Sequence, residues 1–190
     1  MQRVNRCLVL VLAVFLIGPF EGSRSAADKG DDVTAPKVSI PGARATTTGL
    51  LVGGQPSDAQ LRDIQKAGYR TVVSLRTSAE PGASGAREAV ERLKMRFVSI
   101  PVEGAAGLTE ENARALGKAL AAKGALPAVV YCASGQRASA LLGLKAFVVD
   151  GASKKEAMEL AKELGTTRLE VPLRERIDEI CKRDPKRQCD

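Results

Sequence analysis

The chain has 190 residues, a net charge of +7 and 44% hydrophobic residues, enough for one domain with a sizeable core. It contains no histidine, which excludes Ser-His-Asp and Cys-His catalysis and removes the commonest metal ligand. Three cysteines beyond the N-terminal segment are well separated, without a Cys-x-x-Cys pair, so neither a metal site nor a cofactor is expected.

Residues 1–27 read as a secretory signal. Arg3 and Arg6 precede an apolar run from Cys7 to Phe20, and Ser25-Ala26-Ala27 suits cleavage before Asp28. The run is shorter than the ~20 residues of a spanning helix, so no stable membrane insertion is expected after cleavage. An uncleaved anchor is the alternative. Removing Arg3, Arg6, Arg24 and Glu21 would lower the net charge from +7 to +5. The expected location is the periplasm or outside the cell.

Residues 28–47 are polar, with Pro36 and Pro41, and read as a flexible linker. From Gly49 short apolar runs alternate with helical segments. Leu50–Val52 is a predicted strand. Ser57 and Gln60 form a capping box for a helix that stops at Gly68. Thr71–Leu75 is a β-branched strand, Ala86–Leu93 a helix, and Arg96–Val102 a strand broken by Pro101. Thr109 caps a helix to about Lys123. Ala128–Tyr131 is continuously apolar, which suits a central strand covered on both faces. Helices follow over Arg137–Val149, from the Ser153–Glu156 capping box to Gly165, and from Pro172 into Cys181. This order predicts an α/β fold with a mostly parallel central sheet flanked by helices in three layers, over residues 48–180.

The basic run Lys182-Arg183-Asp184-Pro185-Lys186-Arg187 reads as a solvated tail over 181–190, with contact to an anionic lipid or polymer as the alternative. Aromatic residues that could stack on bases are not interleaved with it, so no nucleic-acid partner is expected. In an exported protein Cys181 and Cys189 are expected to pair, leaving Cys132 as the free thiol.

The chemistry concentrates in Val130-Tyr-Cys-Ala-Ser-Gly-Gln-Arg-Ala-Ser-Ala140. A strand, a tight loop and a helix start would aim backbone N–H groups at one point, where the helix dipole favours negative charge. A cysteine there is a candidate nucleophile inside an oxyanion cradle, and Arg137 adds a cation. The bland alternative is a small buried hydrophobe at Cys132 and a surface charge at Arg137.

Gly53-Gly54-Gln55-Pro56-Ser57, Gly68–Arg76, Ile100-Pro101-Val102 and the Cys132–Arg137 loop occur in an order that resembles the bacterial phosphatase-like domain of the β-lactamase-hydrolase-like family. That family is related to the dual-specificity cysteine phosphatases. The resemblance implies hydrolysis of phosphate monoesters, on small molecules or proteins, through a thiophosphoryl-enzyme. It makes Cys132 the nucleophile and Arg137 the phosphate clamp. Ala133, Ser134, Gly135, Gln136, Arg137 and Ala138 would bind the substrate phosphate. Glu103, after the Ile-Pro-Val strand, would be the general acid if burial raised its pKa. A solvated loop carboxylate is the competing reading.

Three departures stand out. Four residues separate Cys132 from Arg137, where the phosphatase signature has five. Tyr131 replaces the usual histidine, and Ala138 stands where a hydroxyl residue is usual, with Ser139 one position late. The loop length resembles that of rhodanese-like sulfurtransferases, which carry a persulfide on the equivalent cysteine. Persulfide transfer and non-catalytic anion binding are therefore alternatives.

Overall fold

The computed structural model describes residues 38–190, so the signal-peptide reading and residues 28–37 of the expected linker lie outside it. A five-stranded sheet has the order β1-β2-β5-β3-β4. Its strands are β1 (Arg44–Ala45), β2 (Leu50–Gly53), β3 (Thr71–Ser74), β4 (Arg96–Ser99) and β5 (Ala128–Tyr131). All neighbours are parallel except β1, which runs antiparallel to β2. The mostly parallel sheet expected from the alternating pattern is therefore present.

Strand β5 is central. Val130 lies between Val52 of β2 and Val73 of β3, so the chain leaves β5 at Cys132 with a strand end on either side. Side chains alternate across the sheet. Val52, Val73 and Val130 face the larger core, with Leu116, Leu141, Phe147, Leu173 and Ile177. Leu51, Val72, Val129 and Tyr131 face a smaller core with Ile64, Val90 and Met95. The larger core is covered by α3 (Glu110–Ala121), α4 (Gln136–Lys145), α5 (Lys154–Glu163) and α6 (Glu170–Arg183). The smaller is covered by α1 (Asp58–Lys66) and α2 (Ala86–Arg92).

Helix starts follow their sequence signals. Ser57 and Ser153 each accept from the backbone N–H three residues on, and Gln60 and Glu156 return the bond, completing both capping boxes. Pro172 lies inside the first turn of α6, where a missing N–H costs nothing, so the helix begins at Glu170. The helix expected over 137–149 divides into α4 and a π-helical turn at Ala146–Asp150. Strand β4 stops at Ser99, before Pro101, which has no N–H to donate.

Both expected flexible ends are corrected within the described residues. Ile40 is buried in the smaller core, Pro41 O accepts from Gly54 N at 2.7 Å, and β1 pairs with β2. The stretch 38–47 is thus packed, because one apolar residue and one open sheet edge suffice to hold a polar segment. At the other end α6 continues to Arg183, and Cys181 and Cys189 form a disulfide. Arg187 stacks on Phe147 at 5.4 Å and donates to its carbonyl, while Gln188 O accepts from Lys154 N at 2.8 Å. Residues 181–190 are therefore folded back rather than a free tail.

Candidate active site

The loop from β5 to α4 is fixed by backbone bonds on both sides. Cys132 N donates to Gly53 O at 3.2 Å, and Leu75 N donates to Tyr131 O at 2.9 Å. Gly54 and Ser134 form an isolated antiparallel bridge, and Gln55 N approaches Ala133 O at 3.5 Å. Gly135 caps α4 with φ +91°, a conformation in which a side chain would be strained. This turn directs the Gly135 N–H onto Cys132 Sγ at 3.1 Å. Sγ thus lies at the start of a helix, on the side of its positive dipole end. Cys132 is only 1% exposed and is the free cysteine among the described residues.

Arg137 is in the first turn of α4. Nη1 and Nη2 donate to the two carboxylate oxygens of Glu80, each at 2.7 Å, and Nη1 also donates to Val102 O at 2.8 Å. Such a planar fork fixes the guanidinium in orientation as well as position. Its pKa is raised, first by Glu80 and in smaller part by Cys132. Glu80 is in turn held down to about 2, chiefly by the Arg137 hydrogen bonds. It is therefore ionised at neutral pH and has no proton to give a leaving group. Arg76 completes the group: its Nε is 3.3 Å from Glu80, Nη2 donates to Pro81 O at 2.7 Å, and Nη1 bonds Gln55 Oε1.

Glu103 follows Val102, the residue whose carbonyl holds Arg137, and it is exposed, so the burial on which its general-acid reading depends is not met in the free chain. Its own carbonyl accepts from Gly107 N at 2.9 Å. A Cβ at Gly107 would stand 2.5 Å from Glu103 N, so only glycine lets this loop close so tightly.

Two residues expected to face a substrate have other partners. Gln136 turns to the segment between α5 and α6. Its Nε2 donates to Gly165 O at 2.7 Å, and its Oε1 accepts from Thr167 N, Thr167 Oγ1 and Arg168 N. Ala138 is fully buried in the larger core. Ser139 donates to Gly135 O at 3.0 Å and accepts from Thr166 Oγ1 at 2.7 Å, so its hydroxyl braces the loop from behind. Ala133 and Ser134 are exposed, and Tyr131 is buried with a pKa raised by that burial.

The sequence reading missed Glu80, Arg76 and Gln55. All three lie far from Arg137 in the chain, yet Glu80 pairs with both Arg137 and Arg76, and Gln55 accepts from Arg76. The available signal was Arg76, which ends the stretch Gly68–Arg76 already singled out, with Glu80 four residues later.

The family described as DSP-PTPase phosphatase fused to NAD+ kinase matches residues 39–176, most of the chain. The chain belongs to this family. The β-lactamase hydrolase-like protein of Xylella fastidiosa is 31% identical over 115 residues, covering 58% of this chain and 26% of that protein. The chain thus corresponds to about a quarter of that curated relative. Among solved structures, a DUF442 protein from Shewanella putrefaciens CN-32 superposes with a TM-score of 0.59 at 19% identity, covering 78% of this chain and 92% of the other. TpbA from P. aeruginosa gives 0.59 at 17% identity, covering 79% and 91%. The same protein in complex with pTyr gives 0.50 at 18% identity, covering 73% and 83%. The fold is thus that of the dual-specificity and tyrosine phosphatases, and these comparisons do not favour the sulfurtransferase alternative.

Proposed function

We propose that the chain is an exported cysteine-dependent phosphatase acting on phosphate monoesters. The observation that carries this reading is the Gly135 N–H aimed at Cys132 Sγ at the start of α4, with Arg137 in the same turn. In the proposed reaction the Cys132 sulfur attacks phosphorus and the phosphorus–oxygen ester bond breaks. Backbone N–H groups of the loop and Arg137 stabilise the charge on the phosphoryl oxygens. Glu103, exposed in the free chain, gives its proton to the leaving oxygen once bound substrate covers it. Water then attacks the thiophosphoryl-enzyme, Glu103 takes the proton from that water, and the sulfur–phosphorus bond breaks to release phosphate.

Glu80 acts as a positioning residue in this scheme, since it touches Arg137 and not the reacting atoms. The pTyr complex of TpbA supports aryl phosphates as a substrate class. The Cys181–Cys189 disulfide fits an oxidising compartment and so supports export. The test is phosphate release from an aryl phosphate by the full chain beside Cys132→Ser, with thiosulfate:cyanide sulfur transfer measured in parallel. Phosphate release lost in Cys132→Ser is the expected result. Sulfur transfer without phosphate release would overturn the reading.

A further inference from the structure

A cavity of about 650 Å³ opens at the end of the sheet where β2 and β5 begin, whereas Cys132 lies where β5 ends. Its walls are the β1–β2 hairpin, the second half of α3, the last turns of α4 with the π-helical turn, and the end of α5. Leu120, Leu142 and Leu164 are buried in its floor, and Leu50 and Leu160 are half-buried beside them. Leu126 and Val149 also line it and are 37% and 43% exposed, two of the three large hydrophobic residues exposed among the described residues. No aromatic side chain lines it. Exposed aliphatic surface that continues into a cavity of this size is the pattern of a small-molecule site rather than of ordinary surface.

Four charged residues line the same cavity. Lys145 and Asp150 neutralise each other at 2.8 Å. Arg44 and Glu163 are exposed, and neither has an ion pair among the described residues. Glu163 is the last residue of α5, and no hydrogen bond orients its carboxylate. Arg44 is better supported. It lies opposite Val52 in the sheet, and the turn that follows is closed by Thr46 N donating to Leu50 O at 2.8 Å and Leu50 N donating to Thr46 Oγ1 at 3.0 Å. Its Nη1 donates to Ala43 O at 3.0 Å, which orients the guanidinium and leaves its other N–H groups for an anion. Such a group takes a carboxylate through two charge-assisted bonds, and a fixed support reduces the entropy lost on binding.

We infer that this cavity binds an alkyl carboxylate, with the chain over Leu120, Leu142 and Leu164 and the carboxylate on Arg44. The all-aliphatic lining selects a flexible chain, and the one oriented cation without an acid selects the head group. The site is independent of the phosphatase reading, because none of the groups around Cys132 takes part in it. Each methylene buried in the cavity should tighten binding by about fourfold.

The test is calorimetry on the full chain with decanoate, decanol and decylamine, each below the concentration at which it self-associates. Decanoate should bind at one site per chain, about tenfold tighter than decanol. Arg44→Ala should remove that preference, whereas Arg44→Lys should keep part of it. Ala121→Phe, which adds bulk to the wall contributed by α3, should weaken decanoate and decanol alike. Arg44 and Ala121 are both exposed, so the unfolding midpoints of these variants without ligand should match the parent's. No saturable binding of decanoate, tighter binding of decylamine than of decanoate, or a preference that survives Arg44→Ala would overturn the inference. Binding unchanged in Ala121→Phe would place the alkyl chain elsewhere and overturn it as well. The phosphatase reading is decided separately, by phosphate release.

Discussion

The two flanks of the Cys132 loop are built on different physics. On the flank of β3 and α2, Arg137, Glu80 and Arg76 form a compact ionic group. On the flank of α5 and α6, Gln136, Ser139 and Thr166 use neutral amides and hydroxyls. The ionic flank can orient a guanidinium toward an anion and also responds to pH. The neutral flank holds backbone geometry and leaves the charge balance alone. A phosphate cradle needs both, because its N–H groups must be fixed while its net charge stays positive.

The largest effect should come from Glu103, the proposed proton donor, which follows the residue that holds Arg137. Glu103→Gln should slow hydrolysis of alkyl phosphates by about 10²–10⁴-fold, the usual worth of general acid catalysis. Nitrophenyl phosphate, whose leaving group needs little protonation, should suffer far less. Steady-state kinetics on both substrates check this, and equal rates for variant and parent on alkyl phosphates would return Glu103 to a solvated loop residue.

Next comes the ionic flank itself. Glu80→Gln keeps the side-chain size but loses the fork, and turnover should fall by about 10²-fold through misplacement of Arg137. Stability should change with it. The Glu80 pKa is lowered to about 2 from 4.5, so its pairing stabilises the fold at pH above 4.5 and that contribution is lost as pH falls from 4.5 through about 2. Denaturation curves of Glu80→Gln should lack that part of the acid loss. An unchanged acid limb would show that the pair contributes nothing to folding.

The neutral flank should matter less and differently. Gln136→Ala removes the four bonds to residues 165–168 and should lower turnover by about tenfold, with the same shape of pH profile as the parent. A pH profile displaced by Gln136→Ala would break the distinction between the flanks. The smallest effect on activity should come from the C-terminal disulfide, whose cysteines touch none of the groups described around Cys132. Reducing Cys181–Cys189 should cost about 2–3 kcal/mol of stability from the closed loop alone and leave turnover near that of the parent. Chemical denaturation with and without reductant measures it.

The sequence made some parts of this architecture legible and hid others for physical reasons. Capping boxes at Ser57–Gln60 and Ser153–Glu156 are local, so the helices they start could be read directly. The apolar run Ala128–Tyr131 marked a strand buried on both faces, and Cys132 followed at its end. Glu80 could not be read as the partner of Arg137, because that pairing depends on how β3 and β5 align and not on any local pattern. Gln136 was assigned to substrate because it lies in the cradle sequence, yet a helix start sends successive side chains in different directions, and this one points to Gly165. Ile40 was hidden in a polar stretch whose packing is decided by a sheet edge far along the chain.

The central claim is that Cys132 carries the phosphoryl group. Ala138 lacks the hydroxyl that would help the sulfur leave, and Ser139 is committed to Gly135 and Thr166, so breakdown of the thiophosphoryl-enzyme should be slow enough to trap. Mass analysis of the full chain, denatured rapidly without acid during turnover of an aryl phosphate and then digested, should show a gain of about 80 Da on the peptide containing Cys132, absent in Cys132→Ser. No gain on that peptide while phosphate is being released, or the same gain in Cys132→Ser, would contradict the account.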